Sequence, residues 1–376
     1  MLQDEIYKIY GTDYKDMTIR ILEEADLQQA ICNKAEALGQ ADATKLRIGI
    51  KPNLVAPSPA NFGATTHPEI VAGIIEYLQA RDFADIKIAE GSWVGDKTTD
   101  AYEFCGYKTL CENYKVPFVD AQKDGHHTVD CKGLDIEICD VVNDIDFLIN
   151  VPVMKGHCQT KITCALKNMK GLIPNTEKRH FHSMGLHRPI AHLSQGIHQD
   201  FIVVDHICGD LDFEEGGNPV VRNCIMTALD PVLVDAYVCK LMGLTVDDVE
   251  YVKLAGEIGS GSTDIENARI YDLNEGNMDK EAPRENKVLR VKYAVNEVDS
   301  CSACYANLVP ALLQLLINML CIRRTSHDAE IEIASTFTNS DFTPFSLMSH
   351  SHRRRHQKEL HRLQFLLWNA QDVATV

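Results

Sequence analysis

The sequence predicts an α/β protein with a mostly parallel sheet and helices on both of its faces. Short, strongly apolar runs alternate with longer segments whose apolar residues recur every three to four positions, as in residues 68–80. This alternation is typical of β-α-β units, whose crossover helices cover both faces of a parallel sheet. The chain has 376 residues, so we expect one large α/β domain, or two lobes, with additions.

Individual elements follow from local composition. The run 46–50 predicts a strand directly before Lys51, and the strongly apolar run 146–151 predicts a central strand. Asp230 followed by Pro231 predicts a helix start, since aspartate caps free amide groups and proline fits the first turn. Further predicted strands are 85–89, 116–119, 201–205 and 288–294; the helices are 68–80, 98–114 and 231–242; a hairpin spans 128–138 and turns at Lys132 and Gly133.

Composition limits the classes of partner. The formal net charge is −17, and an acidic surface repels nucleic-acid backbones and anionic membranes, so neither is expected. No apolar run is long enough to span a bilayer, and the N-terminus lacks the pattern of a secretory signal, so we expect a cytoplasmic protein. Most of the 13 cysteines, Cys105 and Cys208 among them, stand singly and are expected to be buried thiols in a reducing compartment.

Polar side chains follow predicted strands at the edge where parallel sheets bind ligands. Lys51 and Asn53 come directly after the strand at 46–50, and their ammonium and amide groups suit an anionic or carbonyl-bearing ligand. Glu90 follows the strand at 85–89 and is a candidate base or metal ligand. A solvated lysine and simple turns are the alternatives.

A second polar set opens the predicted helix at 68–80. Thr66 and His67 stand just before Pro68, where a helix offers free amide groups and a partial positive charge. Thr66 is therefore a candidate ligand contact, and His67 a candidate general acid or base. Helix capping alone explains the pattern equally well.

The densest motif spans residues 151–171, directly after the predicted central strand. It brings five basic or imidazole side chains into an acidic chain: Lys155, His157, Lys161, Lys167 and Lys170. If the segment is helical, Thr163, Lys167 and Lys170 share one face. Such a concentration of cations predicts a site for an anion, such as a carboxylate, a phosphate or an anionic cofactor, with Asn168 beside it. A solvated helix face is the alternative.

Histidines cluster in the middle of the chain. His157 is a candidate for moving protons at the predicted anion site. Six more have no spacing typical of zinc hydrolases, so we expect one or two of them to reach the site without a metal: His180, His182, His187, His192, His198 and His206. The phosphate-loop, dinucleotide-binding and nucleophile-elbow motifs are absent, so ATPase, dinucleotide-dependent and α/β-hydrolase functions lose their usual support.

The C-terminal part contains one thiol motif and then changes character. Cys301 and Cys304 have a spacing from which two thiolates ligate iron or zinc, although a redox dithiol and two unpaired thiols are alternatives. The last glycine is Gly276, and arginines occupy 353–355. We expect an irregular tail that is disordered or non-native, with a basic binding extension as the alternative.

Several motifs together resemble the domain-of-unknown-function 362 family. They are Ile50-Lys51-Pro52-Asn53-Leu54, Thr66-His67-Pro68-Glu69, Asn150-Val151-Pro152, Lys155-Gly156-His157 and Ala165-Leu166-Lys167-Asn168-Met169-Lys170-Gly171. The resemblance covers about residues 7–311. Members are often described as iron–sulfur proteins, so it implies a 4Fe-4S cluster with Cys301 and Cys304 as its first two metal ligands.

The C-terminal segment departs from that family. Relatives of this type continue with a glycine-rich segment and two further cysteines, whereas here Cys321 is the only later cysteine, as expected of a shifted reading frame beginning near Leu316. We therefore predict an α/β domain over 1–295, a remnant of the cluster segment over 296–315 and an aberrant or disordered tail over 316–376. The implied cluster would lack two of its ligands.

A second resemblance is to the N-terminal lobe of nickel-pincer lactate racemases. Both place polar motifs at successive strand ends before a Pro–His–Gly–Lys segment. In that lobe a lysine holds the pyridinium cofactor and histidines move the proton, which implies counterparts in Lys167 and His157 here. The Asp-x-Thr-Arg-Pro signature of those enzymes is absent.

Three functions remain open. The first is an oxidoreductase or isomerase that binds an anionic small molecule and moves protons through His67, His157 or Glu90. Its expected ligand-binding residues are Lys51, Asn53, Thr66, Lys155, Lys167, Asn168 and Lys170. The second is a non-catalytic electron-transfer or cluster-carrier protein whose lysine-rich motif docks an acidic redox partner. The third is a damaged enzyme whose core folds without its cluster segment.

Overall fold

The computed structural model describes residues 1–274, together with the backbone of two short strands, Val295–Glu297 and Phe345–Leu347, which pair in parallel. The chain divides into two units, Met1–Asn286 and Lys287–Val376. The predicted strand at 288–294 lies outside the described residues.

The first unit alternates strands and helices along the chain. Its strands are β1 (Glu5–Tyr10), β2 (Ile48–Pro52), β3 (Ile86–Glu90), β4 (Phe118–Asp120), β5 (His126–Asp130), β6 (Asp135–Cys139), β7 (Phe147–Val151), β8 (Lys155–His157), β9 (Lys161–Thr163), β10 (Phe201–His206), β11 (Cys224–Ala228) and β12 (Arg269–Asp272). Its α-helices are α1 (Tyr14–Glu24), α2 (Leu27–Ala37), α3 (Pro68–Gln79), α4 (Thr98–Phe104), α5 (Tyr107–Tyr114), α6 (Ala165–Asn168), α7 (Asn175–Met184), α8 (His187–Gly196), α9 (Pro231–Leu241) and α10 (Glu250–Glu257). Short 3-10 turns cover Ala43–Lys45, Ala60–Phe62, Asp140–Asp144, Met169–Leu172 and Val246–Asp248.

Eight of these strands form one sheet in the order β12-β1-β11-β10-β7-β2-β3-β4. All neighbours run parallel except β11, which is antiparallel to both β1 and β10. The mostly parallel α/β architecture predicted from the sequence is confirmed. The reversed strand β11 was not predicted, because a short run that is buried throughout carries no signal of its direction.

Alternate residues of the central strands point to opposite faces of the sheet. Ile48 and Ile50 of β2, Ile149 and Val151 of β7 and Val203 of β10 join one apolar core with α1, α2, α3 and α5. Each such aliphatic side chain contributes about 1.5–3 kcal/mol when fully buried. On the opposite face α6 contacts β7, and α9 contacts β11. Helices therefore cover both faces, as predicted.

Two predicted helical segments differ from the structure. The helix predicted over 98–114 is two helices, α4 and α5, interrupted at Gly106, whose φ of 82° lies in the left-handed region that glycine adopts readily. The segment 151–171 is largely non-helical: β8 and β9 form a hairpin in which Lys155 pairs with Thr163. Thr163 lies in β9, so the condition under which Thr163, Lys167 and Lys170 would share one helical face is not met.

The strand order determines where the polar motifs lie. The central strands β10, β7, β2 and β3 run parallel to one another, so their carboxyl ends meet at one edge of the sheet. Pro52 ends β2, Glu90 ends β3 and Val151 ends β7, and the 151–171 segment starts from this edge. Over residues 1–274, none of the helices combines the length and apolar character required to cross a bilayer.

Candidate functional site

A chain of buried amide side chains connects β2 to β7 at the carboxyl edge of the sheet. Asn168, the last residue of α6, accepts a hydrogen bond from Asn53 Nδ2 at 2.9 Å and from Lys51 Nζ at 3.2 Å. Its own Nδ2 donates to Asn150 Oδ1 at 2.7 Å, and Asn150 Nδ2 donates to Gln199 Oε1 at 2.6 Å. The network fixes α6 against the strand ends.

Lys51 and Glu90 form an ion pair across β2 and β3. Lys51 Nζ lies 2.6 Å from Glu90 Oε2, and the side chains are only 1% and 3% exposed. The remaining capacity of both groups is used: Lys51 also donates to the Pro52 carbonyl, and Glu90 accepts from the Leu54 and Gly91 amides. Burial lowers the pKa of Lys51, and Glu90 offsets part of that shift.

Two further buried lysines donate to backbone carbonyls beside this pair. Lys155 Nζ reaches the Ala64 carbonyl at 2.6 Å, the Glu214 carbonyl at 2.9 Å and Asn53 Oδ1 at 3.4 Å. Lys178 Nζ, from α7, donates to the carbonyls of Gly91 and Ser92 at 2.9 and 2.8 Å. Burial lowers the pKa of Lys155 to about 7 and that of Lys178 to about 8.

Lys167 and Lys170 differ from the other lysines. Both are only half-buried, and within residues 1–274 neither ammonium group has a hydrogen-bonded acceptor. Lys170 Nζ lies 5.8 Å from the centre of the Phe181 ring. Burial lowers the pKa of Lys167 to about 8, and burial with repulsion from Lys167 and Lys178 lowers that of Lys170 further. Their environment penalises the positive charge.

An imidazole, a thiol and a carboxylate meet beside these lysines. His157 Nδ1 accepts hydrogen bonds from the Gln159 and Thr160 amides, so its proton resides on Nε2, which lies 3.5 Å from Glu214 Oε1. Glu214 also accepts from the amide and the thiol of Cys158, each at 3.0 Å. Burial and the charges of Lys167, Lys170 and Lys155 lower the pKa of His157 well below its ordinary value, and Glu214 offsets only part of that shift.

Glu214 is the anion of this corner. Burial alone would raise its pKa, but His157, Lys167 and the two hydrogen bonds from Cys158 lower it to about 2. His157, Cys158 and Glu214 each bring a donor atom within 4.8 Å of the others, the proximity required of metal ligands. However, the Lys155, Lys167 and Lys170 ammonium groups around them repel a divalent cation, so this corner favours an anion.

His182, from α7, lies at the rim of the lysine cluster. Burial and the charges of Lys170 and Lys167 lower the pKa of His182 to about 3. The expectation that one or two of those histidines reach the site stays a prediction.

Thr66 and His67 are adjacent in sequence but serve different surroundings. The Thr66 hydroxyl accepts from the Asn53 amide and donates to the Val151 carbonyl, each at 2.8 Å, and so ties the loop to β7. His67 instead pairs with Asp205: one carboxylate oxygen accepts from its backbone amide and from its ring Nδ1, each at 2.8 Å. Burial favours neutral imidazole, but Asp205 outweighs it and raises the pKa of His67 to about 10.

The sequence therefore indicated most of the residues that meet at this edge of the sheet, but not all of them. Lys51, Asn53, Lys155 and Asn168 contact one another in a continuous network, as their strand-end positions indicated. Lys178 and Glu214 were missed. The run Glu214-Glu215-Gly216-Gly217, in the loop after β10, could have indicated Glu214. Lys178 stands in no distinctive spacing.

The local fold of α6 depends on a buried carboxylate from α9. Asp235 Oδ1 accepts from the Ala165 amide at 2.8 Å and Oδ2 from the Leu166 amide at 3.2 Å, which caps the short helix that carries Lys167 and Asn168. Burial raises the pKa of Asp235 to about 7. Cys301 and Cys304 lie outside the described residues.

Comparison with known proteins now assigns the family. A family model described as a domain of unknown function, DUF362, matches residues 48–240, more than half of the chain. The chain belongs to the DUF362 family. The matched region includes the carboxyl edge of the sheet and the lysines from Lys51 to Lys178, so the site described above lies within it.

Individual relatives of this DUF362 protein are distant. Thylakoid-associated protein sll1697 from Synechocystis sp. is 28% identical over 140 residues, which is 36% of this chain and 42% of that protein. The chain thus aligns with less than half the length of that relative. Lactate racemase apoprotein from Thermoanaerobacterium thermosaccharolyticum is 13% identical with a TM-score of 0.41, covering 64% of this chain and 58% of that one. A Thermotoga maritima protein is 12% identical with a TM-score of 0.35, covering 57% and 58%.

Replacing Gly171 of the DUF362 motif with alanine should destabilise the protein. A methyl group there would collide with Glu90 Oε1 and lie 2.5 Å from Lys51 Nζ, so the ion pair would have to separate. We expect the free energy of unfolding, measured by urea titration, to fall by about 1–3 kcal/mol. Gly11→Ala is the control, because its nearest neighbour is the flexible end of Met17 at 3.1 Å. Equal effects of both substitutions would contradict this role of Gly171.

Proposed function

We propose that this DUF362 protein binds a small anionic molecule, bearing a carboxylate or a phosphate, at the carboxyl edge of its sheet. One observation carries the proposal. Five lysines, Lys51, Lys155, Lys167, Lys170 and Lys178, gather there around two carboxylates, Glu90 and Glu214. The chain as a whole has a net charge of −17, yet at this edge of the sheet positively charged side chains outnumber negatively charged ones. The edge is largely shielded from water, where an unpaired charge is costly.

The hydrogen bonds divide the five lysines into two groups. Lys51, Lys155 and Lys178 donate hydrogen bonds to Glu90, to Asn53 and to backbone carbonyls, so they shape the site. Lys167 and Lys170 have protons available for a ligand, since within residues 1–274 neither ammonium group donates to an acceptor; charged groups and, for Lys170, the Phe181 ring surround them. We therefore assign the direct contact with the anion to Lys167 and Lys170.

Protonation should be linked to binding. Without ligand the pKa of Lys167 is about 8, and a bound anion would return it toward the ordinary value of about 10.4. Below the ligand-free pKa the lysine is charged in both states, so pH has little effect there. Above it, binding must take up a proton, and affinity falls as pH rises.

The prediction uses oxalate and sulfate as probes, because both keep their charges across the pH range. We expect the dissociation constant of the better probe, measured by titration calorimetry, to increase roughly tenfold or more between about pH 7 and about pH 9. Proton uptake should appear as a dependence of the binding enthalpy on the ionisation enthalpy of the buffer. A dissociation constant that stays the same across this range would argue against lysine-based recognition.

Matched variants separate the site from the general surface. Lys170→Met should weaken probe binding about tenfold or more while leaving the ligand-free protein as stable or more stable, because the substitution removes a half-buried charge that has no acceptor within residues 1–274. Lys240→Met, on the exposed Lys240–Glu266 pair, should change neither. Loss of binding in both variants would indicate a nonspecific charge effect instead.

A second candidate is an isomerase that removes a proton next to the bound carboxylate. The observation that favours it is the Lys155 pKa of about 7, lowered by burial and by Lys167, since a base near neutrality moves protons efficiently. The experiment is nuclear magnetic resonance of lactate and other 2-hydroxy acids in deuterated water. If the unaltered protein incorporates deuterium at C2 and the Lys155→Met variant does not, the result supports an isomerase. If the unaltered protein incorporates none, the isomerase is contradicted and only the binding function is supported.

An iron–sulfur cluster remains a proposal that rests on the family resemblance and on the spacing of Cys301 and Cys304. Among the described residues, the group of three potential ligands is His157, Cys158 and Glu214, which supplies one thiol, so that part of the chain does not fit a cysteine-held cluster. No step of the proposed function uses a cluster.

Anaerobic purification tests the cluster directly. If Cys301 and Cys304 ligate iron, the protein should contain about four irons and a band near 400 nm, and Cys301→Ser with Cys304→Ser should remove both. Cys32→Ser, on the half-exposed thiol of α2, is the control and should retain the iron. Iron that persists in the double variant would contradict the assignment.

A further inference from the structure

We propose a second site in this protein: a nucleophilic thiol formed by Cys208, His67 and Asp205, which accepts an apolar acyl group from a thioester. The site lies at the carboxyl end of β10, where His67 contacts both Asp205 and Cys208. It is independent of the anion proposal, because none of its three side chains contacts a lysine of the cluster among the hydrogen bonds of residues 1–274.

The three side chains have the connectivity of an activated thiol. Cys208 Sγ lies 3.7 Å from His67 Nε2, within hydrogen-bonding distance for sulfur. The opposite ring nitrogen, Nδ1, lies 2.8 Å from Asp205 Oδ2. The carboxylate accepts the Nδ1 proton and so fixes the ring with Nε2 directed at the thiol, which is the arrangement of nucleophile, base and orienting acid.

Asp205 is itself held rigidly. Its Oδ2 also accepts from the His67 amide at 2.8 Å, and its Oδ1 accepts from the Ile207 amide at 3.1 Å. His67 is the residue before α3, so its ring position is set by the helix start as well as by the carboxylate. The ring edge also meets Tyr14, with ring centres 5.5 Å apart. These contacts hold the imidazole ring in position next to the Cys208 sulfur.

The thiol opens on a cavity of about 540 Å³, which suits a small-molecule site. Its lining includes Tyr14, Pro68 and Ile207 along with His67 and Cys208. Two apolar side chains of the same lining, Phe104 and Val221, are 63% and 65% exposed, although large apolar groups are usually covered. Such walls favour a hydrocarbon chain, and a nucleophilic thiol at their end favours an acyl carbonyl.

The reaction balances without an oxidant or a metal. With the proton on His67 Nε2, the Cys208 thiolate attacks the carbonyl carbon of the thioester. The new carbon–sulfur bond forms as the bond to the departing sulfur breaks, and His67 gives its proton to that departing thiolate. The products are S-acyl Cys208, a free thiol and neutral imidazole.

The neighbouring titratable groups define the expected pH profile. Asp205 on β10, Tyr14 on α1, Glu69 on α3 and Cys105 between α4 and α5 face the thiol and imidazole. Burial raises the pKa of Tyr14 and of Cys105, so both stay neutral near pH 7. Asp205 raises the pKa of His67, so the ring keeps its Nε2 proton and presents it to Cys208 Sγ, which also lies 3.5 Å from the Ala60 carbonyl. A neighbouring imidazolium favours the thiolate form of a cysteine, which is the form that the proposal requires of Cys208.

The test is acylation of the full chain by the octanoyl thioester of ethanethiol, followed by peptide mass spectrometry. One octanoyl group should appear on Cys208, with a rate that stays nearly constant down to about pH 6. Cys208→Ser should abolish it, and His67→Gln should slow it on the order of 100-fold and restore the steep pH dependence of an ordinary thiol. Cys105→Ser, in the same cavity, should retain acylation.

Iodoacetamide labelling and thermal unfolding provide two further measurements. Iodoacetamide should label Cys208 with the same flat pH profile, which reports the activated thiol independently of the acyl group. Labelling of Cys208 by iodoacetamide without acylation would overturn the thioester assignment. Equal acylation of several cysteines, or an unchanged rate and pH profile in a His67→Gln variant with an unchanged melting temperature, would overturn the site itself.

Discussion

The buried ion pair between Lys51 and Glu90 is the constraint on which the carboxyl edge of the sheet depends. Taking two charges out of water costs several kcal/mol each, and attraction compensates only when every remaining donor and acceptor is satisfied. Here Lys51 has Pro52 and Asn168 as additional acceptors, and Glu90 has two backbone amides. Removal of either partner leaves an uncompensated charge in the core.

This requirement accounts for the sequence around the pair. Gly171 must be glycine because any side chain would occupy the space of Glu90 and Lys51. Gly91 supplies an amide to Glu90 and leaves its carbonyl open to Lys178. Asn168 must present an oxygen to Lys51 while its nitrogen donates to Asn150. The motif therefore satisfies the hydrogen-bonding requirements of the buried Lys51–Glu90 pair.

The cations that remain after this pairing give the edge its chemical character. Glu214 offsets one of them, and its pKa of about 2 keeps it charged at any physiological pH. The pKa values of about 7 for Lys155 and about 8 for Lys167 measure how strongly the fold disfavours the surplus charge. An anion would relieve that repulsion, and the same lowered pKa values make the lysines suitable for proton transfer.

Strand-end reasoning predicted much of this site because parallel strands align their carboxyl ends whatever their order in the sheet. Lys51, Asn53 and Glu90 could be assigned to one edge from sequence position alone. Glu214 and Lys178 could not, since they come from a loop and a helix whose approach is decided by tertiary packing. The hairpin at Lys155 and Thr163 was missed because a lysine-rich segment has no apolar period to distinguish a strand from a helix.

His67 shows a further limit of predicting a site from sequence positions. Its position beside Thr66 placed it correctly at the strand ends, yet Thr66 turns toward Asn53 while His67 turns toward Asp205 and Cys208. Neighbouring residues in an extended segment point in opposite directions, so one loop supplies two sites that differ in charge. The cluster beside Asn53 carries lysine side chains, whereas the cavity of Cys208 is lined by apolar side chains and by His67, which pairs with Asp205. One short loop thus takes part in two different environments, a lysine-rich cluster through Thr66 and an apolar cavity through His67.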